Sequence, residues 1–147
     1  MIFFFDTNII LLYLRHSLIV EFIEANFKPF ETDVIVSVVT VAELKSIALQ
    51  NKWGNPRLQR MENFLSRFVV ADVKTEDIIN CYAEIDAFSQ GRLEGRKSNF
   101  TARNMGKNDI WIAATASVLE ATLLTTDNDF NHLHDEFLSV AKIDLNI

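Results

Sequence analysis

Ile2-Phe3-Phe4-Phe5-Asp6 is a short apolar run that ends at a carboxylate. A wholly apolar run without alternation is typical of a parallel strand covered by helices on both faces. Further along the chain, apolar strand-like segments alternate with segments of helical periodicity. The sequence therefore predicts an α/β fold with a central, mostly parallel sheet of four to five strands.

The pattern places the elements in chain order. Strands are predicted at residues 2–5, 34–39, 68–73, 121–125 and 137–143. Helices are predicted at residues 8–15, 17–27, 40 to about 52, 55 to 64 or 67, 75 to about 89 and 108–120, with Ser17 and Asn55 as N-caps. Residues 90–107 contain three of the four glycines and are predicted to form a flexible, basic loop.

Composition limits the class of protein. A chain of 147 residues, 49 % apolar, predicts one domain over residues 1–147 with a core of its own. No apolar run approaches the length of a membrane span, and the N-terminal stretch lacks the features of a signal peptide. The single cysteine, Cys81, favours a cytoplasmic location and a core-packing role. The net charge of −6 argues against a general nucleic-acid coating protein.

Four carboxylates share one kind of position. Three follow the first, second and fourth predicted strands, and the other opens the helix before the fourth strand: Asp6, Glu43, Asp127 and Asp109, respectively. Because the carboxyl ends of parallel strands meet at one crevice, these acids are expected to converge. Convergent carboxylates repel one another unless a cation neutralises them. Oxygen ligands without histidine or thiolate partners suit Mg²⁺ or Mn²⁺ better than zinc.

Each acid taken alone also has a structural explanation. Thr40-Val41-Ala42-Glu43 matches a capping box, and Asp109 lies in a first helical turn, where a carboxylate is favoured. Asp6 could cap the helix that follows it, and Asp127-Asn128-Asp129 could be a polar turn. The joint pattern favours a metal site, because capping does not require acids at the ends of successive strands.

Four segments together resemble the motifs of PIN-domain ribonucleases, in order and in spacing. They are Phe3-Phe4-Phe5-Asp6-Thr7-Asn8, Thr40-Val41-Ala42-Glu43-Leu44, Lys107-Asn108-Asp109-Ile110-Trp111-Ile112-Ala113-Ala114 and Leu124-Thr125-Thr126-Asp127-Asn128-Asp129-Phe130. Size and motif style resemble the VapC-type toxins of bacterial toxin–antitoxin pairs. The resemblance implies an α/β/α domain that hydrolyses RNA phosphodiesters with Mg²⁺ or Mn²⁺, leaving a 5′-phosphate and a 3′-hydroxyl. It also implies a homodimer that is neutralised by a cognate antitoxin.

The resemblance assigns roles to individual residues. Asp6, Glu43, Asp109 and Asp127 would be the catalytic, metal-binding acids. Asp129 would be a fifth ligand, an acid outside the ligand set, or only a cap. Thr7, Asn8 and Thr126 would orient the acids or bound water, with caps and turns as the alternative.

Phosphate contacts are expected from the basic loop. Its cations outnumber its single acid, Glu94, and they are Arg92, Arg96, Lys97, Arg103 and Lys107. They would bind RNA, or they would only keep a solvated loop soluble. His132 and His134 stand two residues apart on a predicted helix, where they face different ways, so surface roles are expected for them. A ribonuclease based on a histidine pair is therefore disfavoured.

Other functions remain open at this stage. A housekeeping RNA-processing PIN nuclease and a non-catalytic PIN-like binding module both share the motifs. A haloacid-dehalogenase-type phosphatase needs a second acid two residues after the first, and Asn8 occupies that position. A receiver-like phosphoacceptor module needs a lysine after a later strand, which the Thr126-Asp127-Asn128 turn does not supply.

Overall fold

A five-stranded sheet forms the centre of the structure, a computed structural model that describes residues 1–146. Ile147, the last residue of the predicted domain, lies outside the described residues. The strands are β1 (Phe3–Phe5), β2 (Val34–Ser37), β3 (Val69–Ala71), β4 (Thr122–Thr125) and β5 (Ser139–Lys142). Their order is β3-β2-β1-β4-β5, and every neighbouring pair is parallel. The predicted parallel α/β architecture is confirmed.

Helices connect the strands. They are α1 (Thr7–Arg15), α2 (Ser17–Phe27), α3 (Val38–Gln50), α4 (Asn55–Leu65), α5 (Glu76–Ser89) and α6 (Lys107–Val118). Two short 3₁₀ helices, Pro29–Glu31 and Asn128–Leu133, complete the described elements. None of the helices in residues 1–146 is long and apolar enough to cross a membrane.

The core has two halves, one on each face of the sheet. Alternation along β1 sends Phe4 to one half, where α5 and α6 pack, and Phe3 and Phe5 to the other, where α1 to α4 pack. The three phenylalanines are at most 3 % exposed. Burying each of these side chains stabilises the fold by about 1.5 to 3 kcal/mol, which explains why the run has no polar alternation.

The order of the strands creates a switch point beside β1. The chain first builds outward from β1 to β2 and β3, and then returns to the other side of β1 to form β4. Ligands of open α/β sheets bind in the crevice that such a reversal leaves at the carboxyl ends of the strands. Asp6 follows β1 directly, and Asp127 follows β4 after one residue.

The boundary between β2 and α3 differs from the sequence prediction. The strand ends at Ser37, whose Oγ accepts a hydrogen bond from the Val39 amide at 3.0 Å and caps α3. Val38 and Val39 are therefore helical, although their β-branched side chains favoured a longer strand. The structural alternative for Glu43, a capping box with Thr40, is wrong, because both residues lie inside the helix.

Two further predicted N-caps are also wrong. His16, rather than Ser17, precedes α2, and Gly54, rather than Asn55, precedes α4. Neither of these caps makes a side-chain hydrogen bond. β3 and β5 are shorter than predicted, since pairing with β2 and β4 covers only part of each apolar run.

Candidate metal centre

Asp6 is a buried carboxylate at the switch point. Its side chain is 3 % exposed, Oδ1 accepts a hydrogen bond from the Thr7 amide at 2.8 Å, and Oδ2 accepts one from Thr125 Oγ1 at 2.7 Å. Burial raises the pKa of Asp6 to about 6, while the bonds from Thr125 and Thr7 oppose the rise and the nearby charges of Glu43 and Asp127 add to it. Asp6 thus caps α1 and belongs to a group of interacting acids.

Thr125 links the ends of β1 and β4. Its hydroxyl donates to Asp6 and also accepts a hydrogen bond from the Asp127 amide at 3.0 Å. Thr125 is fully buried, whereas the neighbouring Thr126, which the sequence analysis selected, lies in a cleft along α1 with Asn8. Thr125 was not among the predicted site residues, because no periodic pattern in the sequence marks a hydroxyl that bonds a carboxylate from another strand.

Glu43 is tied to the same centre through two threonines. Thr7 Oγ1 donates to Glu43 Oε1, with an oxygen–oxygen distance of 2.9 Å, and it also lies 3.1 Å from Thr40 Oγ1. Thr7 and Thr40 are buried, so the first turn of α1 holds Glu43 from α3 against the switch point. Thr40, a second residue that the sequence analysis did not select for the site, supports this contact.

Three acids form the tightest cluster. Carboxylate oxygens of Asp109, Asp127 and Asp129 lie within 4.8 Å of one another. Asp109 stands in the first turn of α6, and Asp127 caps the following 3₁₀ helix by accepting from the Asp129 amide at 2.9 Å. Asp129 therefore lies beside Asp109 and Asp127, and Asp6 and Glu43 are close enough for their charges to act on Asp109.

Repulsion within this group is not relieved by the protein. Burial raises the pKa of Asp109 to about 7, and the charges of Asp6, Asp127, Glu43 and Asp129 add to the rise. Among residues 1–146, no lysine, arginine or histidine forms an ion pair with any of these five acids.

The donor set fits a divalent cation of the hard type. Every candidate ligand atom in the cluster is a carboxylate oxygen, which Mg²⁺ and Mn²⁺ prefer. A bound cation would also neutralise the charges that raise the pKa of Asp109. Asp109, Asp127 and Asp129 could hold such an ion, with Asp6 beside them.

Two open clefts are lined by acids of this group, and a third passes Thr126, the residue before Asp127. One of about 460 Å³ is lined by Glu43 and Asn108, and one of about 380 Å³ is lined by Asp129 and residues 101–105. The third, of about 480 Å³, runs past Asn8 and Thr126 toward Arg15 and His16. An extended polymer could therefore reach the acids from more than one direction.

The cations of the basic loop are placed unequally. Arg103 lines the same cleft as Asp129, and Lys107 begins the helix that carries Asp109. Arg92 and Lys97 are exposed along the loop. Arg96 is already engaged: it donates to the backbone oxygen of Glu136 at 2.7 Å, pairs with its carboxylate at 3.1 Å and lies 4.4 Å from the Phe137 ring centre.

Surface roles were predicted for both C-terminal histidines, and only one of them has such a role. His134 fits it, since its Nδ1 accepts from the Val140 amide at 2.9 Å and its Nε2 lies 3.4 Å from an Asp135 carboxylate oxygen on the surface. His132 does not, because it packs against Phe88 and Phe100. Burial, reinforced by the charge of Arg103, lowers the pKa of His132 to about 4, so the ring is neutral at pH 7. The helix assumed for both residues ends at Leu133.

A parallel sheet with acids gathered at its switch point defines an α/β domain built around a carboxylate centre. The PIN domain model matches residues 3–136. The chain therefore belongs to the PIN domain family, whose members are generally nucleases that use divalent metals. No curated protein matches the chain in sequence.

Solved structures agree with this assignment. VapBC-1 from nontypeable Haemophilus influenzae is 26 % identical, with a TM-score of 0.71 over 97 % of this chain and 98 % of that chain. VapBC-5 from Mycobacterium tuberculosis, a member of the VapBC family of toxin–antitoxin systems, is 25 % identical, with a TM-score of 0.57 over 98 % of each chain. VapBC2 from Rickettsia felis, solved with a promoter DNA fragment, shares the fold at 22 % identity, with a TM-score of 0.71 over 98 % of this chain and 100 % of that chain. The resemblance to VapC-type PIN toxins is confirmed.

Proposed function

We propose that this protein is a Mg²⁺- or Mn²⁺-dependent endoribonuclease that acts as the toxin of a toxin–antitoxin pair. The observation that carries the proposal is the cluster of Asp109, Asp127 and Asp129, whose carboxylate oxygens lie within 4.8 Å of one another. Within residues 1–146, no basic side chain forms an ion pair with them. Membership of the PIN family and the similarity to VapBC structures support it.

Each acid has a distinct part in the proposed reaction. Asp109, Asp127 and Asp129 hold the metal with Asp6, and Glu43 is the fifth acid of the site. When bound, the metal supplies Lewis acidity for attack of water on a phosphodiester and stabilises the leaving oxygen. Thr125 and the Thr7 amide keep Asp6 charged and oriented, and the Thr7 hydroxyl orients Glu43.

The basic loop is proposed to hold the RNA backbone. Arg103 is the leading candidate because it lines a cleft with Asp129, so a phosphate bound there would lie beside the acids. Lys107 stands two residues before Asp109, and Arg92 and Lys97 could extend the contact along the loop. Arg96 is assigned to anchoring the loop, since Glu136 already neutralises it.

The decisive experiment compares cleavage by wild-type protein with cleavage by Asp6→Asn and Asp109→Asn variants. Single-stranded RNA and DNA of the same sequence are incubated with EDTA, Mg²⁺ or Mn²⁺, and the ends of the products are mapped. We expect RNA cleavage only with metal, 5′-phosphate products, and loss of cleavage in both variants. Asp135→Asn is the matched control, because Asp135 is exposed and its side chain pairs only with His134. Wild-type rates in Asp6→Asn protein would disprove the proposed site.

The partners are proposed from the same similarity. We propose that the protein forms a homodimer in the cytoplasm and that a cognate antitoxin blocks its activity. The similarity to toxin–antitoxin systems supports the antitoxin partner. A short gene beside this one should encode a protein that co-purifies with the chain and suppresses cleavage. A housekeeping RNA-processing nuclease would cleave RNA without such a partner, and a non-catalytic binding module would bind RNA without cleaving it.

A further inference from the structure

Two segments of the chain deliver the three clustered acids, and they meet away from the acids as well. Asp109 follows the returning half of the basic loop, while Asp127 and Asp129 open the 3₁₀ helix that contains His132. These segments are far apart in sequence, so their relative position depends on tertiary contacts. Ser89, the last residue of α5, supplies several of those contacts.

Ser89 holds the returning half of the loop at two points. Its backbone oxygen accepts a hydrogen bond from the Arg103 amide at 2.8 Å, and its Oγ donates to Met105 Sδ at 3.3 Å. Ser89 is fully buried, and Met105 is 6 % exposed. Met105 lies two residues before the start of α6, so the loop is fixed immediately before the helix that carries Asp109.

His132 links Ser89 to the second segment, the 3₁₀ helix that follows Asp127. Its Nε2 lies 2.7 Å from Ser89 Oγ, a short hydrogen bond. Because the single hydroxyl proton of Ser89 is donated to Met105, the imidazole N–H is the donor of this bond and Ser89 Oγ accepts it. The imidazole also packs edge-on against Phe100 of the loop, with ring centres 4.9 Å apart, and lies nearly parallel to Phe88. Ser89 Oγ thus touches both the segment before Asp109 and the segment after Asp129.

We propose that Ser89 and His132 are positioning residues that hold Asp109 in register with Asp127 and Asp129. The inference rests on the proposed metal-dependent function and goes beyond it, because neither residue is among the proposed metal ligands or RNA contacts. Groups that orient metal ligands from outside the ligand set commonly change metal affinity about 10- to 100-fold when they are removed.

The test uses variants that remove or preserve the hydrogen bond. Ser89→Ala deletes the hydroxyl, and His132→Leu keeps a similar bulk without the ring nitrogen. His132→Gln is the conservative variant, because its terminal amide can present either a donor or an acceptor to Ser89. Ser117→Ala is the matched control: Ser117 Oγ donates to the Phe137 backbone oxygen at 2.6 Å, far along α6 from Asp109.

Two measurements report how well Asp109 is positioned against Asp127 and Asp129, independently of RNA cleavage. The first is the Mn²⁺ dissociation constant from calorimetry, and the second is amide exchange of residues 103–109 in metal-free protein. We expect Ser89→Ala and His132→Leu to weaken Mn²⁺ binding about tenfold and to exchange faster over these residues. His132→Gln should stay within about twofold of wild type, and Ser117→Ala should leave both quantities unchanged. The double variant Ser89→Ala/His132→Leu should bind Mn²⁺ as weakly as the worse single variant, since both act through one contact.

The results separate this inference from the proposed function. If the wild type binds Mn²⁺ but does not cleave RNA, the proposed function fails while the affinity series still decides the inference. If the wild type binds no Mn²⁺, the metal centre fails, and slower or unchanged exchange in Ser89→Ala and His132→Leu would overturn the positioning role as well. Wild-type Mn²⁺ affinity in both variants, or equal weakening by His132→Gln and His132→Leu, would also overturn it.

Discussion

Thr125 controls the charge of Asp6 through one hydrogen bond. Asp6 is so buried that its pKa would rise further without the hydroxyl proton that Thr125 donates to Oδ2. Hydrogen bonds to a carboxylate favour its charged form, which is the form that binds a cation. A residue that touches no ligand can therefore set the pH at which the centre works.

Thr125→Val tests this control with little change in shape. Valine is β-branched and suits a buried strand, so β4 should be retained. Without the hydroxyl, the pKa of Asp6 should rise, and the acid limb of the pH–rate profile should move to higher pH by about one unit. Thr125→Ser should restore the wild-type profile. Identical profiles for Thr125→Val and wild type would exclude the proposed control.

The positions of the acids, but not of their supports, could be predicted from the sequence. Asp6 and Asp127 follow apolar runs, and the ends of parallel strands must meet at one edge of a sheet. Thr125 was missed because hydroxyl partners carry no periodic signal of their own. His132 was assigned to the surface because only its neighbours in space, Phe88 and Phe100, show that it is packed.

At the scale of elements, Ser37 decides where β2 ends. Two valines follow it, so local β propensity favours a longer strand, whereas the hydrogen bond from the Val39 amide to Ser37 Oγ starts a helix. The early start turns Glu43 toward Thr7 instead of toward a cap. Local propensity and the Ser37 cap thus favour different ends for β2, which is why the sequence alone did not decide this boundary.

Ser37→Ala should destabilise the protein, because it leaves first-turn amides of α3 without their acceptor. N-cap serines contribute about 1 kcal/mol, so the free energy of unfolding in urea should fall by roughly that amount. Ser46→Ala in the same helix is the control, since Ser46 is exposed and its hydroxyl contacts only Gln50. Equal effects of the two substitutions would show that Ser37 is not the cap.

The basic loop contains a cation proposed to contact phosphate and a cation already paired with an acid. Substituting them should affect RNA binding differently. Arg103→Ala should weaken RNA binding and reduce the slope of log K against log salt by about 0.7, the value for one phosphate contact on a single strand. Arg96→Ala should leave the slope unchanged, because Glu136 already pairs with this side chain, and should lower thermal stability slightly. Binding titrations at several salt concentrations measure both effects. A larger slope change for Arg96→Ala would reverse these assignments.

At the scale of the whole molecule, the topology concentrates negative charge at one edge of the sheet. The strand order places β1 next to β4, so acids more than a hundred residues apart in sequence become neighbours. The alternation of elements predicted a parallel sheet, but local patterns do not encode strand order. The switch point beside Asp6 therefore could not be derived from the sequence alone.

This concentration of charge should make the metal-free protein less stable as the pH rises. The folded-state pKa of Asp109, about 7, lies above the ordinary value of 3.8 for this carboxyl, so the folded protein binds more protons than the unfolded chain between these values. The contribution of Asp109 to stability is therefore largest below about pH 4 and is lost as the pH rises to 7. After allowance for solvent screening, the loss is on the order of 2 kcal/mol.

Asp109→Asn isolates this contribution, because asparagine has a similar shape and cannot ionise. In EDTA at pH 8, the variant should be more stable than wild type by about 1 to 2 kcal/mol, and the difference should vanish as the pH falls below the unfolded-state pKa of 3.8, where Asp109 becomes protonated in both states. Adding Mg²⁺ at pH 8 should reverse the order. Wild type should gain roughly 2.7 kcal/mol at a hundred times its dissociation constant, and the variant much less. Urea unfolding of wild type and variant at each pH, with and without metal, measures these differences in the free energy of unfolding. A wild type that is the more stable protein in EDTA at pH 8 would mean that the acids are not held in mutual repulsion, and the case for a cation among them would fail.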